Sequence, residues 1–244
     1  KTMNKLKTEN QLPQTIVTSS PFRVLNLYAC LGGNRYKWDE VAKEANIEIE
    51  VTAVEYDTEI AELYQERFPN DKVIVTDAHK YLLDNYKEFD FIWSSPPCPS
   101  HSRMNISQYT RESWKPKFPD FKLYEEVVFL DSYFKGKFVV ENVIPYYEPL
   151  IAAKKRHRHL YWTNFNLPNV LSERTSPDWS RIKNEAEAWN EFHDYDFKKY
   201  KGKAYREIGR NLVDYEAGRK IFETLLGIEK KSNIKQVSIF DDVS

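Results

Sequence analysis

The sequence predicts an α/β protein built on a doubly wound, mainly parallel sheet, with a small additional subdomain. Short apolar runs alternate with longer segments of helical periodicity between residues 21 and 165. This alternation is typical of a parallel sheet that is covered by helices on both faces. Glycine, carboxylate and Pro-Cys turns follow the strands, and in open α/β sheets ligands bind at the carboxyl ends of the strands.

The length and composition indicate one globular core with a small appendage. The chain has 244 residues, of which 41% are hydrophobic and 30% are charged, values typical of soluble globular proteins. No apolar run approaches the roughly 18 residues of a membrane span, so we expect no membrane partner. The net charge of −1 confines any nucleic-acid surface to a local patch. Two cysteines, Cys30 and Cys98, favour a cytoplasmic setting over a disulfide framework, and the five histidines show no metal-ligand spacing.

The first predicted strand leads into a glycine turn. Residues 1–20 are polar and lack periodicity, and we interpret them as a leader. Residues 22–29 are predicted as a strand, 30–34 as a tight turn and 35–45 as a helix. Glycine lets the backbone approach a ligand closely, and the N-terminus of a helix offers free N–H groups. The pattern favours a cofactor loop, and a plain strand-to-helix turn is the alternative.

The next two strands each end in a carboxylate. The predicted elements are a strand at 50–54, a helix at 58–68, a strand at 72–76 and a helix at 78–86. Glu55 follows the second strand, where a carboxylate can accept hydrogen bonds from both ribose hydroxyls of a nucleoside cofactor. A helix cap or a surface carboxylate is the alternative for Glu55. Asp77 follows the third strand and is predicted to cap the next helix.

The fourth strand ends in a stiff turn that carries a cysteine. Residues 89–93 are apolar, and the sequence Ser-Ser-Pro-Pro then leads to Cys98. Proline has a fixed φ and cannot donate to a sheet ladder, so the chain leaves the sheet rigidly. Because a lone cysteine is more often a small buried hydrophobe than a nucleophile, catalysis at Cys98 requires the other parts of a site. Residues 99–119 form a long polar loop of the kind that is often functional or mobile.

The fifth strand brings a glutamate to its carboxyl end. Residues 121–134 are predicted as a helix and residues 137–143 as an apolar strand that contains Glu141. A partly dry environment raises the pKa of a carboxyl group, which suits an acid that shares a proton near neutrality. A glutamate that faces solvent is the alternative.

A basic run precedes the last predicted strand, residues 160–165. Residues 154–159 read Lys-Lys-Arg-His-Arg-His, which is typical of a solvated face or a phosphate patch. In an extended segment, Arg156 and Arg158 would point to the same side. A guanidinium fork can hold an oxygen in a fixed place, which a lysine cannot do.

The segment that follows changes in composition. Aromatic residues are interleaved with charges over residues 166–206, and residues 151–210 hold 13 Lys or Arg against 8 Asp or Glu. This pattern favours a DNA-facing lobe. A small aromatic-rich subdomain with a solvated rim is the alternative. Residues 207–213 then lead into a helix that ends near Leu226.

Several of these patterns resemble motifs of the DNA cytosine-5 methyltransferases, in that family's order. Residues 27–33 are similar to the first motif, usually Phe-Ala-Gly-x-Gly-Gly, with Tyr28 in the Phe position and Cys30 in a Gly position. The Pro-Cys turn resembles the catalytic loop, and Glu-Asn-Val at 141–143 resembles the sixth motif.

The remaining motifs depart more from the family pattern. The basic run resembles Gln-x-Arg-x-Arg with Lys154 in place of Gln, and residues 207–213 resemble the last motif, usually Gly-Asn-Ser-Val. The resemblance implies a class I S-adenosylmethionine-dependent methyltransferase fold. It further implies a catalytic domain at 21–165 plus 207–228 and a small target-recognition subdomain at 166–206.

The resemblance also implies the roles of individual residues. Cys98 would attack C6 of a flipped cytosine, Glu141 would bind N3, Arg158 would hold O2 and Arg156 would support Glu141. The cofactor would be S-adenosylmethionine. The residues implied to contact it are Tyr28, Ala29, Leu31, Gly32, Gly33, Glu55, Tyr56, Asp77, Ala78, Pro97 and Asn211. No metal is implied.

The expected partner is double-stranded DNA, in the cytoplasm of a bacterium or a phage-infected cell and with a role in restriction–modification. We expect a monomer. Residues 229–244 form a tail in which Gln236 to Phe240 resemble the short peptide that docks on the bacterial sliding clamp. Alternatively, Ile239 and Phe240 anchor the tail on the protein itself.

Three other functions stay open at this point. An exocyclic amino-methyltransferase uses a similar Ser-Pro-Pro turn but normally ends it in an aromatic residue, whereas this chain has Cys98. An enzyme that methylates C5 of cytosine in tRNA would share the motifs. A catalytically silent DNA-binding or cofactor-binding module is the third alternative, because Cys30 and Lys154 depart from the family pattern.

Overall fold

The computed structural model describes residues 20–107, 115, 117–177, 185–199, 208–209 and 211–228. The strands are β1 (Phe22–Leu27), β2 (Ile49–Glu55), β3 (Lys72–Val75), β4 (Phe91–Ser94), β5 (Lys137–Val143), β6 (Lys154–Arg156) and β7 (His159–Thr163). The helices are α1 (Trp38–Glu44), α2 (Thr58–Arg67), α3 (Ala78–Asn85), α4 (Arg103–Ile106), α5 (Lys122–Tyr133), α6 (Glu185–His193) and α7 (Tyr215–Leu225).

The strands form one seven-stranded sheet in the order β3-β2-β1-β4-β5-β7-β6. The first five strands in this order are parallel, and β7 inserts antiparallel between β5 and β6. The predicted doubly wound, mainly parallel sheet is thereby confirmed. The register pairs Leu27 with Ser94 and Ser94 with Val140. The residues that follow β1, β4 and β5 therefore meet at one edge of the sheet.

The two faces of the sheet are buried by different helices. Leu25, Ile92 and Val140 pack under α3 and α5. Their chain neighbours, such as Trp93 and Val139, pack under α1 and α7. Because side chains alternate along a strand, these apolar runs supply both cores, as expected for a parallel sheet.

One predicted helix begins later in the chain than its sequence pattern indicated. The structure has α1 at Trp38–Glu44, whereas residues 35–45 were predicted. Arg35 lies in the preceding turn, is 3% exposed and donates from Nε and Nη2 to the Asp71 carboxylate, both at 2.9 Å. The bidentate pair connects the turn after β1 to the turn before β3, and this long-range contact has no local sequence signature.

The basic run is a hairpin rather than one extended segment. Residues of β6 pair with β7 so that Arg156 lies opposite His159. The chain turns at His157, whose φ is +52°, and at Arg158. The prediction that Arg156 and Arg158 lie on one side of a single strand is therefore wrong.

The described aromatic residues near α6 belong to a buried cluster. Trp189 and Phe197 are buried and pack with Leu31, Ile208 and Leu212. Arg67 on α2 donates to the carbonyls of Leu31 and His193, which ties this cluster to the loop after β1. Trp189 and Phe197 are consequently not available to stack on bases, and the target-recognition subdomain at 166–206 stays a prediction.

Some predictions concern residues outside the described ranges. They fall on 1–19 of the leader, on 108–114 and 116 of the predicted polar loop, on 178–184 and 200–207, on Arg210, and on the tail at 229–244 with Gln236 to Phe240. Among the described helices, none is both long and apolar enough to cross a membrane.

Candidate active site

A cleft of about 410 Å³ opens at the carboxyl edge of the sheet. Its lining includes many of the residues implied by the sequence, namely Tyr28, Ala29, Gly33, Glu55, Pro97, Cys98, Glu141 and Asn211. His159 on β7 also lines it. A volume of this size is typical of sites for small molecules and cofactors. The fold therefore brings the candidate nucleophile, the candidate acid and the glycine turn into one space.

The turn that carries Cys98 is fixed by hydrogen bonds from both sides. The Trp93 indole donates to the Ser95 hydroxyl at 2.9 Å, and the Asn142 amide donates to the Pro96 carbonyl at 2.9 Å. Beyond the cysteine, the backbone N–H groups of His101 and Ser102 both donate to the Cys98 carbonyl at 3.0 Å. With two prolines in the turn, few backbone torsions are free to displace the thiol.

The Cys98 thiol is partly buried and protonated in this state. Its Sγ lies 3.8 Å from the Oδ1 atom of Asn211, to which the thiol can donate. Burial and the negative charge of Glu141 raise the pKa of Cys98 to about 11. Because the thiolate is the nucleophile, attack by Cys98 requires a change that removes this proton.

Glu141 is held inside the cleft by its position in the sheet. It lies on β5 opposite Tyr161 of β7 and is 6% exposed. The Nε2 atom of His159 is 3.5 Å from its Oε1 atom. The sequence analysis did not assign this histidine a role.

The two arginines of the basic run are placed differently from expectation. The guanidinium of Arg156 donates to the carbonyls of Leu167, Pro168 and Lys155. The expectation that Arg156 supports Glu141 is therefore wrong, because its donors are used on the loop after β7. Arg158 is exposed on the hairpin turn and lines a neighbouring cavity of about 190 Å³ rather than the cleft of Cys98.

The cofactor half of the cleft is built around Glu55. Its Oε2 atom accepts from the Cys30 N–H at 2.8 Å, and its Oε1 atom accepts from the Tyr56 and Asp57 N–H groups at 2.9 and 3.0 Å. These bonds fix the carboxylate beside the turn after β1. Of the roughly four lone-pair sites of a carboxylate, these bonds leave one on Oε2 that can accept from a ribose hydroxyl. The neighbouring Tyr56 ring is 79% exposed and free to cover an adenine. The donor and acceptor set thus fits a nucleoside cofactor.

Comparison with known proteins identifies the family of this chain. The family model for the C-5 cytosine-specific DNA methylases matches residues 22–146, which is just over half of the chain. The chain belongs to this family. Its sheet is that of the Rossmann-like class I S-adenosylmethionine-dependent methyltransferases. No curated protein matches the chain.

Solved structures share parts of the fold. A DNMT2 mutant from Spodoptera frugiperda is 22% identical over 50% of this chain and 35% of that chain, with a TM-score of 0.34. The methyltransferase EhMeth of Entamoeba histolytica is 12% identical over 64% and 58%, with a TM-score of 0.41. A TehB-like SAM-dependent methyltransferase from Corynebacterium glutamicum is 13% identical over 52% and 57%, with a TM-score of 0.30. The match covers about a third of the Spodoptera chain.

The turn after β1 shows how this methylase-family member accommodates Cys30. Tyr28, Cys30 and Gly32 have φ angles of +55°, +48° and +68°. The family's usual glycine at the Cys30 position is thus explained by the left-handed backbone, which costs a non-glycine residue roughly 1 kcal/mol or more. Leu31 points into the aromatic cluster, and Gly32 packs against Tyr64 and Phe68. These two residues shape the turn and do not line the cleft.

Two other implied cofactor residues lie beside the cleft rather than on its lining. Asp77 is exposed and caps α3 by accepting from the Lys80 N–H at 2.8 Å, as predicted. Ala78 is the first residue of α3 and is buried.

Sequence reasoning missed three residues of the site. Asn142 belongs to a recognised motif, and His159 belongs to the basic run, so each had a signal without an assigned role. Glu126 on α5 had none, because a glutamate in a helix is usually solvent-exposed. Here it is fully buried and accepts hydrogen bonds from Tyr28 and Ser94.

Proposed function

We propose that this protein transfers a methyl group from S-adenosylmethionine to C5 of a flipped cytosine in DNA. The observation that carries the proposal is the position of Cys98. It lies on a rigid turn at the carboxyl edge of the sheet, in the same cleft as Glu141 and the glycine turn after β1. Family membership supports the same reaction.

The cofactor would occupy the half of the cleft that contains Glu55. Tyr28, Ala29 and Gly33 would border it, the Glu55 carboxylate would accept from a ribose hydroxyl, and Tyr56 would cover the adenine. Pro97 and Asn211 would contact it near the reacting centre. S-adenosylmethionine supplies an electrophilic methyl group.

Cys98 would form the covalent bond to the base. A cytosine inside a duplex is out of reach, so the base must leave the stack and enter the cleft. The Cys98 sulfur adds to C6 as the thiolate, and it leaves again when the C5 proton is lost. The thiol must lose its proton first, since burial and the charge of Glu141 raise its pKa to about 11.

Glu141 would stabilise the charge that develops on the ring. Its position in the cleft supports a hydrogen bond to N3, and the His159 imidazole at 3.5 Å can hold the carboxyl group in place. Among the described residues, the Arg158 guanidinium has no hydrogen-bond or ion-pair partner, so it is available for O2 or for a DNA phosphate.

The reaction is tested with labelled methyl groups. The protein is incubated with methyl-labelled S-adenosylmethionine and either double-stranded DNA of mixed sequence or tRNA, and the labelled nucleoside is identified. The proposal predicts 5-methyldeoxycytidine from DNA and no label with Cys98→Ala. Label on N4 of cytosine would indicate an amino-methyltransferase, and label only in tRNA would move the substrate to RNA. Cofactor binding without any transfer would indicate a silent module.

Other parts of the proposal concern the cellular setting. We place the protein in the cytoplasm, because both described cysteines are free. The proposed setting is a bacterium or a phage-infected cell, where the protein would act as a monomer with a role in restriction–modification. The tail residues Gln236 to Phe240 would dock on the sliding clamp. Pull-down of the purified clamp, lost when Ile239 and Phe240 are both changed to Ala, tests that contact.

A further inference from the structure

Glu126 is a fully buried carboxylate outside the lining of the cleft. It lies on α5 and has an exposed fraction of 0%. Burial of a charged carboxylate is costly unless hydrogen-bond donors replace the lost water. A glutamate in this position therefore calls for an explanation, since an apolar residue would fill the same core without that cost.

Three side chains from three other parts of the chain donate to this carboxylate. The Tyr28 hydroxyl lies 2.6 Å from Oε1, the Ser94 hydroxyl lies 2.5 Å from Oε2, and His79 Nδ1 on α3 lies 3.0 Å from Oε1. Both hydroxyl distances lie in the range of charge-assisted O–H···O⁻ bonds. The hydrogen bond to Glu126 is the main cause that raises the pKa of His79.

Two of the donors connect Glu126 to different parts of the site. Tyr28 lies in the cofactor half of the cleft, and Ser94 directly precedes the turn that carries Cys98. Tyr28 follows β1 and lines the cofactor half, and its hydroxyl is the group that the family's usual phenylalanine lacks. Ser94 is the last residue of β4 and stands directly before the Ser95 to Cys98 turn. Ser94 is itself fully buried and does not line the cleft.

We propose that Glu126 is a positioning residue that couples the cofactor turn to the nucleophile turn through Tyr28 and Ser94. This inference rests on the proposed function. The Glu126 carboxylate accepts hydrogen bonds from a residue next to each turn. A change at Ser94 is therefore transmitted through Glu126 to Tyr28 and the cofactor site. The link requires a tyrosine at position 28, which makes it a feature of this chain.

The test is a double-mutant cycle on cofactor affinity in the full chain. The variants are Tyr28→Phe, Ser94→Ala and their combination, with S-adenosylhomocysteine as the titrated ligand in calorimetry. Each single change should weaken binding by about threefold to tenfold, within the range of one hydrogen bond to a charged group. The combination should be no weaker than the worse single variant, because either change already breaks the link. Tyr133 is an exposed tyrosine on α5, the helix that carries Glu126. Tyr133→Phe is therefore the matched control and should bind S-adenosylhomocysteine with wild-type affinity.

Thermal unfolding shows the temperature range in which each variant is folded. Both buried variants should lower the melting temperature, so the titrations are run below the lowest of these temperatures, where a loss of affinity does not come from unfolding. The inference would be overturned if the losses of affinity of Tyr28→Phe and Ser94→Ala add up in the combined variant. It would also be overturned if Ser94→Ala has no effect on affinity. Binding with normal coupling but no methyl transfer would instead contradict the proposed function alone. Absence of any binding to the wild-type chain would contradict both.

Discussion

The side-chain amide of Asn142 donates to the carbonyl of Pro96 at 2.9 Å, which ties the end of β5 to the turn that carries Cys98. Its Oδ1 atom accepts from the Val143 N–H at 2.9 Å, so the amide orientation is fixed. In the Glu-Asn-Val sequence, Glu141 thus lines the cleft while Asn142 holds the nucleophile turn. The two adjacent residues serve the two sides of one site.

Asn142→Asp should slow the attack by Cys98. The carboxylate cannot donate to the Pro96 carbonyl and repels it, so we expect a loss of about tenfold or more in the rate of covalent adduct formation. The affinity for S-adenosylhomocysteine should change little. Asn164→Asp is the matched control, because its amide donates to the Gly136 carbonyl at 2.8 Å at the opposite end of β5. An equal loss of rate in both variants would indicate a general effect on the fold.

Glu141→Gln should make the Cys98 thiol more reactive toward iodoacetamide. Its pKa is raised to about 11 by burial first and by the Glu141 charge second. Removing the charge lowers the pKa and increases the thiolate fraction at pH 8, so alkylation should speed up. Peptide mass spectrometry resolves the two cysteines. Cys30, whose pKa is raised to about 12 by burial and Glu55, is the internal reference and should not respond.

Acid should destabilise the protein through His193. Burial lowers the pKa of this histidine to about 4 from the ordinary value of 6.5. Below pH 6.5 the unfolded chain binds the proton first, so stability is lost as the pH falls from 6.5 to 4, by up to about 3 kcal/mol. Urea unfolding measures the free energy of unfolding across this range. It should fall less steeply with decreasing pH in His193→Phe than in the wild-type chain. The exposed His157 is the control, and a slope that depends equally on His157→Asn would contradict this assignment.

Cys30 should be easier to replace by glycine than by alanine. Its φ of +48° is strained for any residue with a Cβ atom, and both substitutions remove the sulfur. We expect Cys30→Gly to exceed Cys30→Ala in unfolding free energy by about 1 kcal/mol. Urea denaturation measures the difference. Cys98 does not have a positive φ, so Cys98→Gly should not exceed Cys98→Ala in stability.

The order of the elements and the parallel sheet could be predicted because apolar periodicity is a local signal. Strand β5 has the predicted bounds, residues 137–143, since Gly136 precedes it and residues 138–140 are apolar and β-forming. The hairpin of β6 and β7 could not be predicted, because it depends on a positive φ at His157, a residue with no turn signature.

The least predictable parts of the site are contacts between distant residues. Glu126 lies 98 residues from Tyr28, and Arg35 lies 36 residues from Asp71. Neither pair has a spacing or periodicity that would identify it. Local patterns therefore located Cys98, Glu141 and Glu55, whereas the carboxylate that joins their supporting turns emerged only from the folded chain.

The most direct measurement is a covalent trap. The protein is incubated with S-adenosylmethionine and double-stranded DNA that contains 5-fluorocytosine, and the mixture is examined under denaturing conditions. Fluorine at C5 cannot leave as the proton does, so the account predicts a stable protein–DNA adduct with the wild-type chain and none with Cys98→Ala. An adduct that persists in Cys98→Ala, or its absence from the wild-type chain across varied DNA sequences while cofactor still binds, would contradict the account.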